Sequence, residues 1–406
     1  MTGMVSRWNI TDVPVSEIIE RRRAAFAKVQ AEAPDALVFF RPNPIFYLLG
    51  GWMSGTERPT CFVVKNDGKT FIMVPKLDEE YCTQVGKCLD QIYVYDEYPG
   101  ERHPMQILKD ILEEQGLANK CLVVDGDGYP AVMGYRGPSL SEVCRDARII
   151  SRPFLIEELQ MIKSPFDITV MRETARWGNY AHMLLRDYTK AGLRELEVTD
   201  RVRQEATQAM LRAMGPSFNT KGPVEAHARA IFRGQIGKLS YWPHVTANNA
   251  MIQRGDNLVT GASGFLLGLR TEMERTMFVG EPSAVQQTYY AHVLALQEIG
   301  IHAIQPGRTC AQVDREVHRY YEENGLMDNW RHHTGHCIGY TGHERPFLDS
   351  CDETIIQPGM VFTCEPGIYV KDVGGFRISD TLLVTEGGVE CLTYFPKSLD
   401  EIVCDK

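Results

Sequence analysis

The sequence predicts two domains of different build, an α/β domain over residues 1–155 and an α+β domain over residues 156–406, and three observations carry that prediction. The chain has 406 residues, beyond the roughly 250–300 at which a single hydrophobic core stops growing. Its first part alternates short apolar runs with amphipathic ones. Its second part gathers helical patterns in one group and strand patterns in another, which suggests a sheet that carries the site.

In chain order, residues 20–33 (ERRRAAFAKVQAEA) read as a helix, and 35–40 (DALVFF) and 61–65 (CFVVK) as strands; residues 67–74 (DGKTFIMV) read as a turn leading into a strand. Residues 103–117 (HPMQILKDILEEQGL) form a helical pattern closed by a glycine, and CLVVD at 121–125 is another strand. A linker falls before Ile156, and residues 152–193 offer two long helical runs on either side of the KSP at 163–165. Helical patterns then cover 198–214, 283–304 and 313–326. Strand-like pieces occupy 359–370, 375–385 and 389–395.

The net charge is -10, and the Arg21 to Arg23 run is the longest basic stretch. That balance argues against nucleic acid or an anionic membrane as a partner. The first residues hold no apolar leader and no stretch of about 18 apolar residues occurs, so a cytoplasmic protein is expected. Eleven cysteines stand singly, without a CxxC pair, as reduced thiols do. Cys337 and Cys364 each adjoin a candidate site residue.

The most informative stretch runs from Trp242 to Glu274. It holds His244, a candidate base, and Glu272 and Glu274, two residues apart between Gly268 and the apolar residues 277–279. In an extended run, side chains two apart share a face. Two carboxylates so placed push each other's pKa values apart and suit acid and base work; the alternative is a pair of solvated glutamates on an edge strand. Arg275 next to them reads as their counter-charge. Glu365 lies in an apolar run (VFTCEPGIYV), where a carboxylate needs a partner.

The ordered motifs KSPFDITVMRETAR, QRGDNLV, MERTMFVG, HHTGHCIG, GHERP, GMVFTCEPGIYV and GFRISDTLLVTEGG resemble those of the creatinase, prolidase and aminopeptidase P group. The resemblance covers nearly the whole chain and implies a creatinase-type N-terminal α/β domain followed by a pita-bread catalytic domain. Metal-dependent members hold two cations with an Asp, a second Asp eleven residues on, a His, a Glu and a final Glu. Those slots fall here on Gly261, Glu272, His336, Glu365 and Ser379. Gly261 has no ligating side chain and Ser379 is neutral, so a dinuclear centre lacks charge compensation; one cation on Glu272, His336 and Glu365 remains open.

These departures resemble the creatinase branch, which works without metal. That likeness implies His244, twelve residues before Asp256, as general base and acid, with Glu274 and Glu365 binding and orienting the substrate. It places Glu272, His336 and His343 around the substrate and Arg58 across a homodimer interface, where its fork would hold a carboxylate. The expectation is therefore a hydrolase that cleaves a carbon-nitrogen bond in a small carboxylate-bearing amidine, ureido or cyclic amidine compound, with no metal and no cofactor. Attack by water or by a glutamate are both open. GHERP resembles the peptidase branch, so a metal-dependent Xaa-Pro peptidase with a degenerate site is the alternative, and a non-catalytic binding protein on the same fold is the third.

Overall fold

A computed structural model describes residues 10–215 and 227–406. The first nine residues, where the absence of a leader was read, lie outside the described residues. Among those described, no helix is long and apolar enough to cross a membrane. The contacts divide the chain into two units, with the division after Leu159.

The N-terminal unit is built on a six-stranded sheet with Ala36–Phe39 and Cys61–Lys65 near its middle. Ala36–Phe39 runs antiparallel to Cys61–Lys65 and parallel to Cys121–Val124. All four of its residues are buried, which explains why these strands are continuous apolar runs and do not alternate. Ala36 and Val38 pack in one core with Met105, Leu108 and Leu112 of the helix Pro104–Glu114. The first helix, Val15–Lys28, starts five residues before the predicted one because Pro14 supplies the extended N-cap conformation.

In the C-terminal unit the long helix Pro165–Tyr188 is set by its start: Ser164 and Asp167 form a reciprocal capping box and Pro165 occupies the first turn. The predicted helical run before KSP is only the short helix Leu155–Gln160. The long helix and the helix Glu195–Met214 cover one face of a three-stranded sheet, Leu269–Arg270, Gly261–Leu266 and His227–Ile231. Contact is backbone to backbone: a Cβ at Gly264 would lie 2.3 Å from the Thr174 carbonyl oxygen, and one at Gly178 3.3 Å from the Gly264 nitrogen. Glycine is required at 264 by that close approach.

A five-stranded sheet, ordered Glu344–Leu348, Gly335–Cys337, Val361–Cys364, Asp380–Thr385 and Gly388–Cys391, follows. Phe362, Cys364, Leu382 and Val384 pack in one core with Ala303 and Val313 of the helices Ala284–Ala303 and Cys310–Glu323. An isolated bridge between Glu274 and Ser379 joins the extended run after Arg270 to the start of the Asp380 strand. The candidate residues lie around that bridge.

Candidate metal centre

The extended run from Arg270 to Glu274 alternates as the sequence predicts. Met273 bridges Ala262 and is fully buried, while Thr271 reaches Thr174 on the long helix at 3.3 Å. Arg270, Glu272 and Glu274 therefore share the opposite face. His336 sits in the strand Gly335–Cys337, held by its backbone N–H donating to Thr363 Oγ1 at 3.1 Å. Glu365 follows the strand Val361–Cys364, its N–H donating to the Thr334 carbonyl at 2.8 Å.

These elements converge three side chains. One ligand atom from each of Glu272, His336 and Glu365 lies within 4.8 Å of the others. His336 is fully buried, with Nδ1 2.9 Å from the Cys337 carbonyl oxygen, an arrangement that turns Nε2 toward the carboxylates. Nε2 lies 3.2 Å from Glu365 Oε1 but is not aligned for a hydrogen bond and has no other partner.

The electrostatics follow from that proximity. Burial, then the charges of Glu365 and Glu274, push the Glu272 carboxyl up to about 8. Burial works against charge on His336, but Glu365 and Glu272 outweigh it and raise the imidazole to about 9. Burial likewise opposes charge on Glu365, yet the neighbouring His336 holds it well below the usual carboxylate range. Without a cation, the group is a neutral Glu272 beside a His336 imidazolium and a Glu365 carboxylate.

Glu274 has a different setting. It is 1 % exposed, and both its oxygens are taken by guanidiniums: Arg377 through Nε and Nη2, the latter at 2.8 Å, and Arg233 through Nη2. Arg377 is fixed in turn by donating to Tyr369 Oη at 2.8 Å and Gln235 Oε1 at 3.2 Å. Two guanidiniums thus use two acceptor positions on Oε1 and one on Oε2. Glu274 anchors the two arginines.

One cation fits this site and two do not. Two carboxylates and an imidazole whose ligand atoms all lie within 4.8 Å of one another are a suitable donor set for a single divalent ion. At the slot of the first Asp, a Cβ on Gly261 would meet Glu274 Oε1 at 3.8 Å and Arg233 Nε at 3.9 Å. The positive charge facing that slot is already a guanidinium. At the last slot, Ser379 is fully buried and donates to Glu272 Oε1 at 3.2 Å; it adds no charge.

The remaining candidates are distributed around this core. The His343 ring stacks on His336, with centroids 3.9 Å apart and planes inclined by 17°, and burial followed by the His336 charge lowers its pKa. His244 is exposed in the loop after the turn Gly237–Tyr241 and has no hydrogen bond or ion pair among the described residues. Arg58 belongs to the N-terminal unit, where its fork donates to Glu97 at 2.6 and 3.2 Å and to Glu57. Arg275 is not the counter-charge of the glutamates: it is fully buried and donates to Asp380 Oδ1 at 2.9 Å. Cys337 and Cys364 are buried with their thiols pushed up, chiefly by burial. Arg233, Arg377 and Lys163, which organise the site, were not singled out from the sequence; Arg377 stands two residues before Ser379 in the quoted GFRISD motif, the one signal that pointed to it.

The fold and this converging set define a member of a hydrolase family with a pita-bread catalytic unit. The chain belongs to metallopeptidase family M24: that family's model matches residues 169–386, more than half of the chain, and the creatinase/prolidase N-terminal domain model matches residues 21–162. The chain is similar to an Xaa-Pro dipeptidase of Pyrococcus furiosus, 33% identical over 60% of this chain and 66% of the relative. An uncharacterized peptidase of Bacillus subtilis is 30% identical over 64% of this chain and 70% of its own length. Among solved structures, the Xaa-Pro dipeptidase from Bacillus anthracis superposes with a TM-score of 0.75 at 25% identity, covering 95% of this chain and 99% of that one.

These findings overturn the metal-independent, creatinase-like reading. The relatives are peptidases, and the family is one of metallopeptidases. The loss of two ligands removes the charge compensation for two cations and not for one, and the three that remain, which the sequence leaves open as a single-cation set, converge on one point. The general-base role expected of His244 falls with the metal-free mechanism.

Proposed function

We propose that the chain is a dipeptidase-type hydrolase that cleaves the peptide bond of small carboxylate-bearing substrates, Xaa-Pro dipeptides first among them, with one divalent cation. The observation that carries this reading is the convergence of one ligand atom each from Glu272, His336 and Glu365 to within 4.8 Å, with the buried His336 Nε2 turned to Glu365 Oε1 at 3.2 Å. Glu272, His336 and Glu365 would hold the cation, which when bound supplies Lewis acidity to a scissile carbonyl and acidifies water.

The chain's own residues do the rest. His343, neutral at pH 7 because its pKa is lowered, offers one ring N–H to the substrate carbonyl or to charge developing on its oxygen. Its loop is fixed by the buried pair Lys163 and Glu344: Lys163 Nζ donates to Glu344 Oε2 at 2.7 Å and to the Gln160 carbonyl at 2.6 Å, and the Thr341 N–H donates to Glu344 Oε1 at 2.9 Å. Arg377 and Arg233 neutralise Glu274, so the centre carries less negative charge than its three glutamates suggest.

The test is hydrolysis of Ala-Pro and a panel of dipeptides by the cation-loaded protein, read by chromatography of the released amino acids. The reading expects turnover in the wild type and its loss in His336→Ala; no cleavage of any dipeptide under metal-replete conditions would refute it. The homodimer, with Arg58 acting across its interface, remains a proposal that light scattering tests; a monomer would end it.

A further inference from the structure

The face of the three-stranded sheet turned away from the long helix carries more than Glu272 and Glu274. Within Gly261–Leu266, Ala262 and Gly264 point to the helix, so Gly261, Ser263 and Phe265 point the other way. Arg229 pairs with Ser263 and Arg270 with Phe265 in the antiparallel register, which puts both arginines on the same face as the carboxylates. Arg270 precedes Glu272 by two residues, about 7 Å along the extended run. One Cβ built on Gly342, the neighbour of His343, would lie 3.9 Å from Arg270 Nη1.

Both guanidiniums cluster on one ring. Their central carbons lie 5.2 Å (Arg229) and 5.0 Å (Arg270) from the Phe265 centroid, while the His227 ring stacks on that same phenylalanine at 4.2 Å. Neither side chain has an ion pair or a hydrogen bond among the described residues, and Arg270 Nε is buried without a partner. The acid whose charge reaches Arg270 is Glu344, whose oxygens are already used by Lys163 and the Thr341 N–H. Arg270 is half-buried and Arg229 exposed, and among the described residues neither cation is paired although acidic residues are in excess in the chain.

We propose that Arg229 and Arg270 form an anion subsite that takes a substrate carboxylate beside the Glu272, His336 and Glu365 centre. The planar fork of arginine matches a carboxylate, and Arg270 lies two residues before Glu272 on the same face. Arg58, the arginine expected from the sequence to hold that carboxylate, has its fork on Glu97. The subsite rests on the dipeptidase-type reading for the identity of its ligand, and not for its existence.

The experiment is calorimetric binding of N-acetyl-L-proline, a free carboxylate, and N-acetyl-L-prolinamide, its neutral counterpart, to the metal-free protein. It compares the wild type with Arg229→Gln/Arg270→Gln and with Arg270→Lys, alongside turnover of Ala-Pro. The wild type is expected to bind the carboxylate at least 10-fold more tightly than the amide, as charged hydrogen bonds require. The double variant loses that preference, and Arg270→Lys, which keeps the charge but not the fork, retains part of it. Equal binding of the carboxylate by wild type and double variant, or no preference in the wild type, overturns the subsite. Arginine-dependent carboxylate binding without Ala-Pro turnover sustains the subsite and sinks the dipeptidase reading, whereas turnover with no arginine dependence does the reverse.

Discussion

Cation binding by this site must displace protons from Glu272 and His336, both of which are pushed up in the cation-free protein. A metal ligand must be a carboxylate or a neutral imidazole, yet the Glu272 carboxyl is pushed up to about 8 and the His336 imidazole to about 9 in the cation-free protein. At pH 7 both groups are protonated, while Glu365 is already ionised, being held well below the usual range. Binding one cation therefore releases close to two protons. The sign is fixed: affinity rises with pH, about 100-fold per pH unit below pH 8, then about tenfold between 8 and 9, and levels off above. From pH 7 to the plateau the gain is about 10³-fold, or about 4 kcal/mol at 1.36 kcal/mol per pKa unit. Titration calorimetry of the cation in two buffers of different ionisation enthalpy measures the protons released. A value near two at pH 7 is expected, and release of fewer than about half a proton would refute the electrostatic account of the centre.

Three further substitutions test the scaffold. Lys163→Met leaves Glu344 buried without its cation and should cost about 3–5 kcal/mol in urea unfolding, with a loss of turnover because the His343 loop loosens. Arg275→Leu removes one of the two cations on Asp380, Lys397 at 2.6 Å remaining, and strips the buried Phe395 and Ser379 carbonyls of a donor; it should cost about 1–3 kcal/mol while leaving the metal stoichiometry of the folded protein unchanged. Gly264→Ala places a Cβ 2.3 Å from the Thr174 carbonyl oxygen, so helix and strand must separate, a cost of about 1–3 kcal/mol measured as a lowered unfolding midpoint.

What could be read from the sequence was whatever depends on local pattern. The period-2 placement of Glu272 and Glu274 on one face holds because the bridge from Met273 to Ala262 enforces it, and the ordered motifs carried the pita-bread fold. The two glutamates nevertheless have opposite settings, and the sequence could not show this. Arg377 and Arg233 reach Glu274 from 103 and 41 residues away, so nothing near position 274 distinguishes a clamped carboxylate from a ligand. The same distance effect misassigned Arg275, adjacent to Glu274 in sequence but paired with Asp380 across 105 positions. The run before KSP read as a long helix because its apolar spacing is helical, yet Leu155–Gln160 is all of it that is helical, the chain being extended at Ser164, the N-cap that precedes Pro165 and starts the next helix. Glu272, His336 and Glu365 were legible from their slots as a set for one cation, but the main expectation turned away from metal because a count of five slots with two lost does not reveal that these three meet at one point.

The central claim is that one cation, held by Glu272, His336 and Glu365, is what this site works with, and metal content by mass spectrometry coupled to dipeptide turnover tests it most directly. The account predicts one equivalent per chain after metal loading, turnover that disappears on chelation and returns with one equivalent, and neither metal nor turnover in His336→Ala. Two equivalents per chain, or turnover that persists in the stripped protein, would contradict it.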